Sequence, residues 1–489
     1  MEANDEFMRR EKLLRDSFTP AEWATFAAIL ATSTVAFWLA DPRSFWLLGF
    51  FLIVGCFTPL ILKLHENTHP FFTDYLWTKF GLLTLPGWIA LLQHFVGLFR
   101  DPLDLITFEG ASFLALHDYS EWLPVGVDAS GNSLTVIGHI GGLLITTMLF
   151  LVPKSRAFFE RILPWLCLLA VSTAVFGLLQ YTLATDKALG TPGTGRSDFF
   201  GFFPYDGHWA AFAILWTCVC FAMSLLTTRY DDSPAFIESP GPLYLSGGLL
   251  LGGTGILVQA RWPGALLIIT TSVMLLFFAI HFLRIKNDPH RIPIASMTGL
   301  FAILAFAGGL IKFFRLNDAT AERDELLQSA WHLFREQPVF GWGMDSFEKL
   351  LPFYGSDLLV GESYARAGSD LAQILAEFGI VGLLAFAALP IAMIIRYFTG
   401  RKDIQLTNHI LIGIVVLLLL AVFDTPFMSP AVLFSFFALL FTALRWADLS
   451  RKPIDEVDAA RPVLVAPASE RNAPFHIGSQ KQDANKSER

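Results

Sequence analysis

Charge is scarce in this chain. Only 16% of its 489 residues are Asp, Glu, Lys or Arg, against about 25% in a soluble globular domain. With 54% hydrophobic residues and a mean hydropathy of +0.53, the shortage excludes an ordinary soluble fold and points to an integral membrane protein. The net charge of −8 says little, because the placement of charge and not its sum sets topology. Cysteine is scarce too. Cys56, Cys167, Cys218 and Cys220 all sit in apolar runs and show no CxxC or metal-ligand spacing. They read as small buried hydrophobes, without a disulfide framework or a zinc site. Among the 11 histidines, no HxxxH or other metal spacing occurs. There is no GxxxxGK[ST] and no GxSxG, so nucleotide hydrolysis and serine chemistry have no support. The N-terminus is too acidic for a secretory signal, and its first apolar run lacks a small-residue cleavage pattern. No internal repeat is detectable, which removes the signature of a transporter built from two halves.

What is present is a series of apolar runs of bilayer-crossing length. They fall at roughly 21–40, 45–63, 79–97, 134–152, 163–184, 208–228, 242–260, 262–283, 294–314, 369–397, 406–425 and 427–446, about twelve spans in all. Pro86 and Gly87 make the third the weakest. Basic residues cluster before the first span (Arg9, Arg10, Lys12, Arg15) and between the fourth and fifth (Lys154, Arg156, Arg161). They cluster again between the eighth and ninth (Arg284, Lys286, Arg291), between the tenth and eleventh (Arg396, Arg401, Lys402), and after the last (Arg445, Arg451, Lys452). If these are cytoplasmic, the spans alternate with both termini inside. The expected fold is an all-α polytopic membrane helix bundle. Residues 1–20 form a cytoplasmic N-terminus and 21–314 carry spans 1–9. Residues 315–368 form a large extracytoplasmic loop of short helices, 369–447 carry spans 10–12, and 448–489 form a disordered cytoplasmic tail. The same alternation places 98–133, 185–207 and the turn at Arg261 outside.

The loop 315–368 is the densest polar segment between spans. Thr320 is placed to cap a helix reaching about Glu336, with Leu326, Leu327, Ala330, Trp331 and Phe334 on its apolar face. Pro338, Gly341 and Gly343 interrupt it. Asp345 is placed to cap a second short helix that presents Phe347, Leu350 and Leu351. Such a pair serves either as a structural lid or as the cover of an active site.

Candidate chemistry-bearing residues lie on the predicted outer side. Arg196 stands in a glycine-rich loop that also holds Tyr205, Asp206 and His208. A planar guanidinium there suits bidentate binding of phosphate oxygens, or alternatively reaches lipid headgroups. Arg261 sits between two spans with almost no loop, a costly setting unless it is paired or faces a cavity; with Trp262 it also reads as an interface anchor. Of the loop arginines Arg323, Arg335 and Arg366, Arg366 stands just before the tenth span, with Asp370 one turn on. A helix start there offers amide N–H groups to an anion. Besides His208, the outer histidines are His94, His117, His139 and His332.

The segment WHLFREQPVFGWGMDSFEKLLPFYG resembles the aromatic helix, Pro and Gly-x-Gly turn of the bacterial O-antigen ligase and polymerase superfamily. GSDLAQILAEFGIVGLL, GRSDFFGFFPYDGHWA, QARWPG and SEWLPVGVDASGNSLTV are similar to other parts of it, over residues 120–395. The resemblance implies a glycosyltransferase of the bacterial inner (cytoplasmic) membrane. It would move a glycan from a polyprenyl (undecaprenyl) diphosphate carrier to an acceptor hydroxyl on the outer face, in surface polysaccharide biosynthesis, without cofactor or metal. It further implies that Arg196 and Arg261 hold the diphosphate, and Arg323 matches a recurrent arginine of the family. His208, Arg323, Arg366 and Asp370 complete the expected substrate site. The ligases' His-Asn position is held here by Gly368 and Ser369, and an earlier His position by Arg366, so the general base is not assigned. The expected partners are the lipid-linked glycan, a glycan or lipid acceptor and membrane lipids, with no nucleic acid. Alternatives are a repeat-unit polymerase, a non-enzymatic glycolipid transporter or flippase, and an inactive assembly partner.

Overall fold

The apolar runs become helices because a chain in lipid must satisfy its backbone hydrogen bonds internally. A computed structural model describes residues 18–41, 44–68, 73–108, 111–116, 119–120, 122–183, 199–227, 236–285, 290–315, 320–354, 364–399 and 404–450. Of the tail expected to be disordered, 448–450 are the end of a helix and 451–489 lie outside the described residues.

Twelve helices stand where spans were expected. They are α1 (Pro20–Trp38), α2 (Phe45–Thr68), α3 (Thr73–Gly97), α4 (Ala129–Leu151), α5 (Arg156–Thr182), α6 (Asp206–Leu226) and α7 (Gly241–Gly253), then α8 (Arg261–Arg284) and α9 (Arg291–Arg315). Following α10 (Thr320–Glu336) and α11 (Phe347–Tyr354), the bundle resumes with α12 (Asp370–Thr399), α13 (Gln405–Phe423) and α14 (Pro430–Ser450). Among the described residues, 10 of these are long and apolar enough to cross a membrane; α1 and α7 are the two that are not. α7 has only 13 residues and is prolonged by a 3-10 turn, Thr254–Ile256. Segment 98–133, read as loop, contains an antiparallel hairpin of β1 (Leu103–Phe108) and β2 (Ala111–Leu116). The side-chain alternation of Leu103, Asp104 and Leu105 suits a strand better than a helix.

α6 is buried almost throughout and packs against α7, α8, α13 and α14. At the periphery, α9 leaves Leu300, Ile303, Leu304 and Phe314 exposed, a surface that lipid and not water accommodates. α2 and α4 meet at Gly55 and Gly141. A Cβ at Gly141 would lie 2.3 Å from the Phe51 carbonyl oxygen, so these backbones approach as closely as small residues in membrane helices permit.

The loop helices α10 and α11 fold as expected and share a core of their own. Leu326, Ala330 and Leu333 of α10 and Phe347, Leu350 and Leu351 of α11 close around Trp342. The buried stripe differs from the expected face. Trp331 is 49% exposed, because the i, i+4, i+7 row through Leu326, Ala330 and Leu333 is the one turned toward Trp342. Glu336 accepts from the Tyr119 hydroxyl at 2.7 Å and from that of Tyr354, and Lys349 pairs with Asp128, the N-cap of α4. The loop is thereby fastened to segment 98–133.

The apolar run at 369–397 predicts one span, and α12 there is broken. Gly379 has φ 62° and ψ −166°, a backbone conformation that a side chain would strain. The turn 338–343 fills the break. Trp342 and Gly343 N–H donate to the Ala376 and Glu377 carbonyls at 3.0 and 2.8 Å, and Ile380 and Val381 N–H donate to Pro338 and Val339 at 2.9 and 3.1 Å. Backbone groups orphaned by the break are thus paired with the loop.

Candidate active site

The turn between α13 and α14 is where separate parts of the chain converge. Its sequence, Asp424-Thr425-Pro426, ends one apolar run and starts another. A bridge between Phe200 and Phe203, with Phe200 stacked on Trp209 at 4.5 Å, directs the chain into α6. This presents Tyr205, whose hydroxyl donates to Asp424 Oδ2 at 2.8 Å. His208, fully buried, meets the Thr425 carbonyl through Nε2 at 3.0 Å. Asp370 opens α12 and is locked to the same turn: its N–H donates to the Asp424 carbonyl at 3.0 Å, and its Oδ2 accepts from Phe427 N–H at 2.7 Å. Arg366 lays its guanidinium 4.3 Å from the centre of the Tyr205 ring, a cation–π geometry that fixes the guanidinium plane. Arg323, from α10, donates to the Gly368 carbonyl at 3.2 Å and to the Phe423 carbonyl.

These groups border a polar cavity of about 580 Å³. Arg323, Arg366, Tyr205 and Asp424 lie in its wall, together with Asp345, Glu348 and Glu377, and with Thr135 and His139 of α4. Burial pushes the Asp424 carboxyl above the usual carboxylate range, and the Tyr205 hydrogen bond and the arginines Arg366 and Arg323 oppose that shift. The Tyr205 phenol is raised by burial and then by the Asp424 charge. Glu377 is buried. Its carboxylate accepts from the Asp345 and Phe347 amides and from the Gln373 side chain at 3.0 Å. A glutamate on α12 therefore helps to cap α11, for which Asp345 was the expected cap. Asp345 itself adopts φ 62°, an uncommon conformation for a residue with a side chain and one found disproportionately at functional sites.

An apolar cleft of about 130 Å³ adjoins this cavity, and Phe51, Ile140, Leu143, Phe386, Phe434 and Phe437 line it. His139, Met344, Phe427 and Met428 belong to both walls. A charged chamber and a greasy cleft therefore share one partition. Among the described residues no group of three or more His, Cys, Asp or Glu is arranged to hold a metal ion.

Arg323 and Arg366 come together here, and Asp370 and His208 brace the turn behind the cavity wall. Arg196 lies outside the described residues, as does His117. Arg261 heads α8, but its Nε donates to the Phe313 carbonyl at 2.8 Å and its guanidinium covers the Phe313 ring at 4.3 Å. It ties α8 to α9 and is not part of the cavity wall. Its link to the site is Asp206, which accepts from the Gln259 and Ala260 amides just before it. Sequence reasoning missed Asp424 and Glu377. The signal for Asp424 was an acid followed by Thr and Pro at a span end; Glu377, four residues after Gln373 in an apolar run, carried the cost of a buried charge as its signal.

No curated protein and no solved structure matched the chain. Residues 206–387 match the family model described as O-antigen ligase, a stretch that includes His208, Arg261, Arg323, Arg366, Asp370 and Glu377. By that match, residues 206–387 of this multi-pass membrane protein carry an O-antigen ligase domain.

Proposed function

We propose that the protein transfers a glycan from a polyprenyl diphosphate carrier to an acceptor hydroxyl at the outer face of the bacterial inner membrane. The observation that carries this reading is the shared wall between the arginine-bearing cavity and the apolar cleft. A ligand with an anionic head and a long apolar tail matches both halves at once. In the proposed reaction the acceptor oxygen attacks the anomeric carbon. The bond from that carbon to the diphosphate oxygen breaks, and polyprenyl diphosphate leaves with the bonding pair. The hydroxyl proton passes to a carboxylate of the wall, for which Asp345, Glu348 and Glu377 are the candidates. Arg323 and Arg366 offset the charge that grows on the leaving diphosphate, a preorganised electrostatic role that needs no acid. Arg196 and Arg261 remain proposed partners of the diphosphate through the family resemblance.

The test is purified protein incubated with polyprenyl diphosphate oligosaccharide and candidate acceptors, with free carrier and glycosylated product measured together. Carrier release matched by product supports transfer; a glycan acceptor identifies a polymerase and a lipid acceptor a ligase. The break in α12 favours the rival transporter reading, since transporters use interrupted helices. A transporter would move the intact lipid-linked glycan between leaflets and release no carrier, and that result would defeat the enzyme reading.

A further inference from the structure

The end of the bundle away from the polar cavity holds a second cavity. α6 runs from Asp206, beside the first cavity, to Leu225 at the second, and α13 runs between Asp424 and Gln405 in the opposite sense. At 1.5 Å per residue each path covers roughly 28 Å, close to the thickness of a hydrocarbon core. The second cavity has a volume of about 250 Å³ and is lined by Leu225, Phe277, Ile280, His281, Arg284, Gln405 and His409.

Three groups give it a definite chemistry. His409 is only 7% exposed, and its Nδ1 lies 2.7 Å from the Gln405 carbonyl oxygen. A carbonyl only accepts, so the ring proton sits on Nδ1 and Nε2 presents a lone pair. That Nε2 is buried and has no hydrogen-bond partner among the described residues, a condition that costs free energy unless a donor arrives. The Gln405 side-chain amide meets Nδ1 of His281 at 3.2 Å; with the amide donating there, His281 carries its proton on Nε2. Arg284, exposed at the end of α8, adds a cation. From the cavity wall outward, α8 leaves Phe277 42%, Ile280 37%, Leu276 49% and Leu283 62% exposed, a continuous apolar strip beside the polar groups.

We propose that this cavity binds the headgroup of an anionic phospholipid that bears a free hydroxyl, as phosphatidylglycerol does. The phosphodiester oxygens accept from Arg284. A headgroup hydroxyl donates to His409 Nε2, and the acyl chains lie along the exposed strip of α8. A free phosphate would meet the cations but leave the strip without a role.

Native mass spectrometry of the full-length protein in detergent tests this, with titrations of phosphatidylglycerol, phosphatidylethanol and phosphatidylcholine and a competition arm with inorganic phosphate. One phosphatidylglycerol should be retained, and Arg284→Gln should weaken it about tenfold, the loss of one charge-assisted contact. His409→Phe and the use of phosphatidylethanol, which lacks the hydroxyl, should each weaken binding by a similar factor, and not additively. Arg284 is exposed, so its variant tests the site without disturbing the core. Equal retention of phosphatidylcholine, or unchanged binding in both variants, would overturn the proposal. Displacement of the lipid by inorganic phosphate would reassign the cavity to a free anion and overturn the lipid assignment.

Discussion

Arg366 is held by its face, and the role proposed for it belongs to its edge. Stacked on Tyr205, it keeps the planar fork that a lysine lacks. Arg366→Ala and Arg366→Lys should therefore both lower transfer by roughly thirtyfold or more, the order expected when one partner of a desolvated charge pair is lost. Steady-state transfer by variants of normal thermal stability checks this, and near-normal activity of the lysine variant would remove Arg366 from the diphosphate. Arg261 poses a sharper question, because its visible contacts are with Phe313. If it also serves the diphosphate, Arg261→Lys should lower transfer by about tenfold with little change in melting temperature. Equal loss of stability and activity would leave it a strut between α8 and α9. Asp424 gives a pH signature. Burial raises its carboxyl in the folded state, so the fold favours the protonated acid, and its contribution to stability declines as pH rises through that raised value. Asp424→Asn lacks this penalty. The melting temperature of the variant relative to the unaltered protein should thus climb as pH goes from acidic to neutral, while transfer falls because the hydrogen bond that positions Tyr205 is weakened. A pH-independent difference would mean that Asp424 is not raised.

Among the elements, α12 carries the most information that the sequence concealed. Its apolar run announced a span, and Arg366 and Asp370 were legible at its start. The break was not, because Gly379 in Glu-Phe-Gly-Ile-Val-Gly looks like any small residue tolerated in a membrane helix; only the partner turn at 338–343 reveals its conformation. Asp424 was hidden for a related reason. Two apolar runs almost touch there, and hydropathy does not register that a span end curls inward to meet Tyr205. The exposed Trp331 shows the same limit on α10, where several apolar rows were available and packing selected one. Gly379→Ala tests the break. Besides the positive φ, the new Cβ would stand 2.4 Å from the Val339 carbonyl oxygen, so backbone must shift. A loss of about 1–3 kcal/mol from conformation alone, read as a lower melting temperature in detergent, is the expected result. An unchanged melting temperature would show that the break is not fixed.

For the whole molecule, Tyr205, Arg366 and Asp424, which the alternation of basic loops expects on one side, gather at one cavity, and we propose that this side is the outer one. A cysteine at His332 should react with reagents that do not cross the membrane, added from outside, and one at Lys154 only with reagents that do. The reverse pattern would place the cavity in the cytoplasm and end the proposed function. The pairing of the 338–343 turn with the interrupted α12 also bears on how the molecule is made. Ala376, Glu377, Ile380 and Val381 need partners that their own helix does not supply, and bare peptide groups are poorly tolerated in hydrocarbon. The turn is synthesised before α12, so its amides and carbonyls are available as the break leaves the ribosome. Biogenesis thus acquires an order: the loop before α12 must fold before α12 can settle into lipid, and a lesion in Gly341 or Gly343 should surface as a failure of membrane insertion far from the substituted residue.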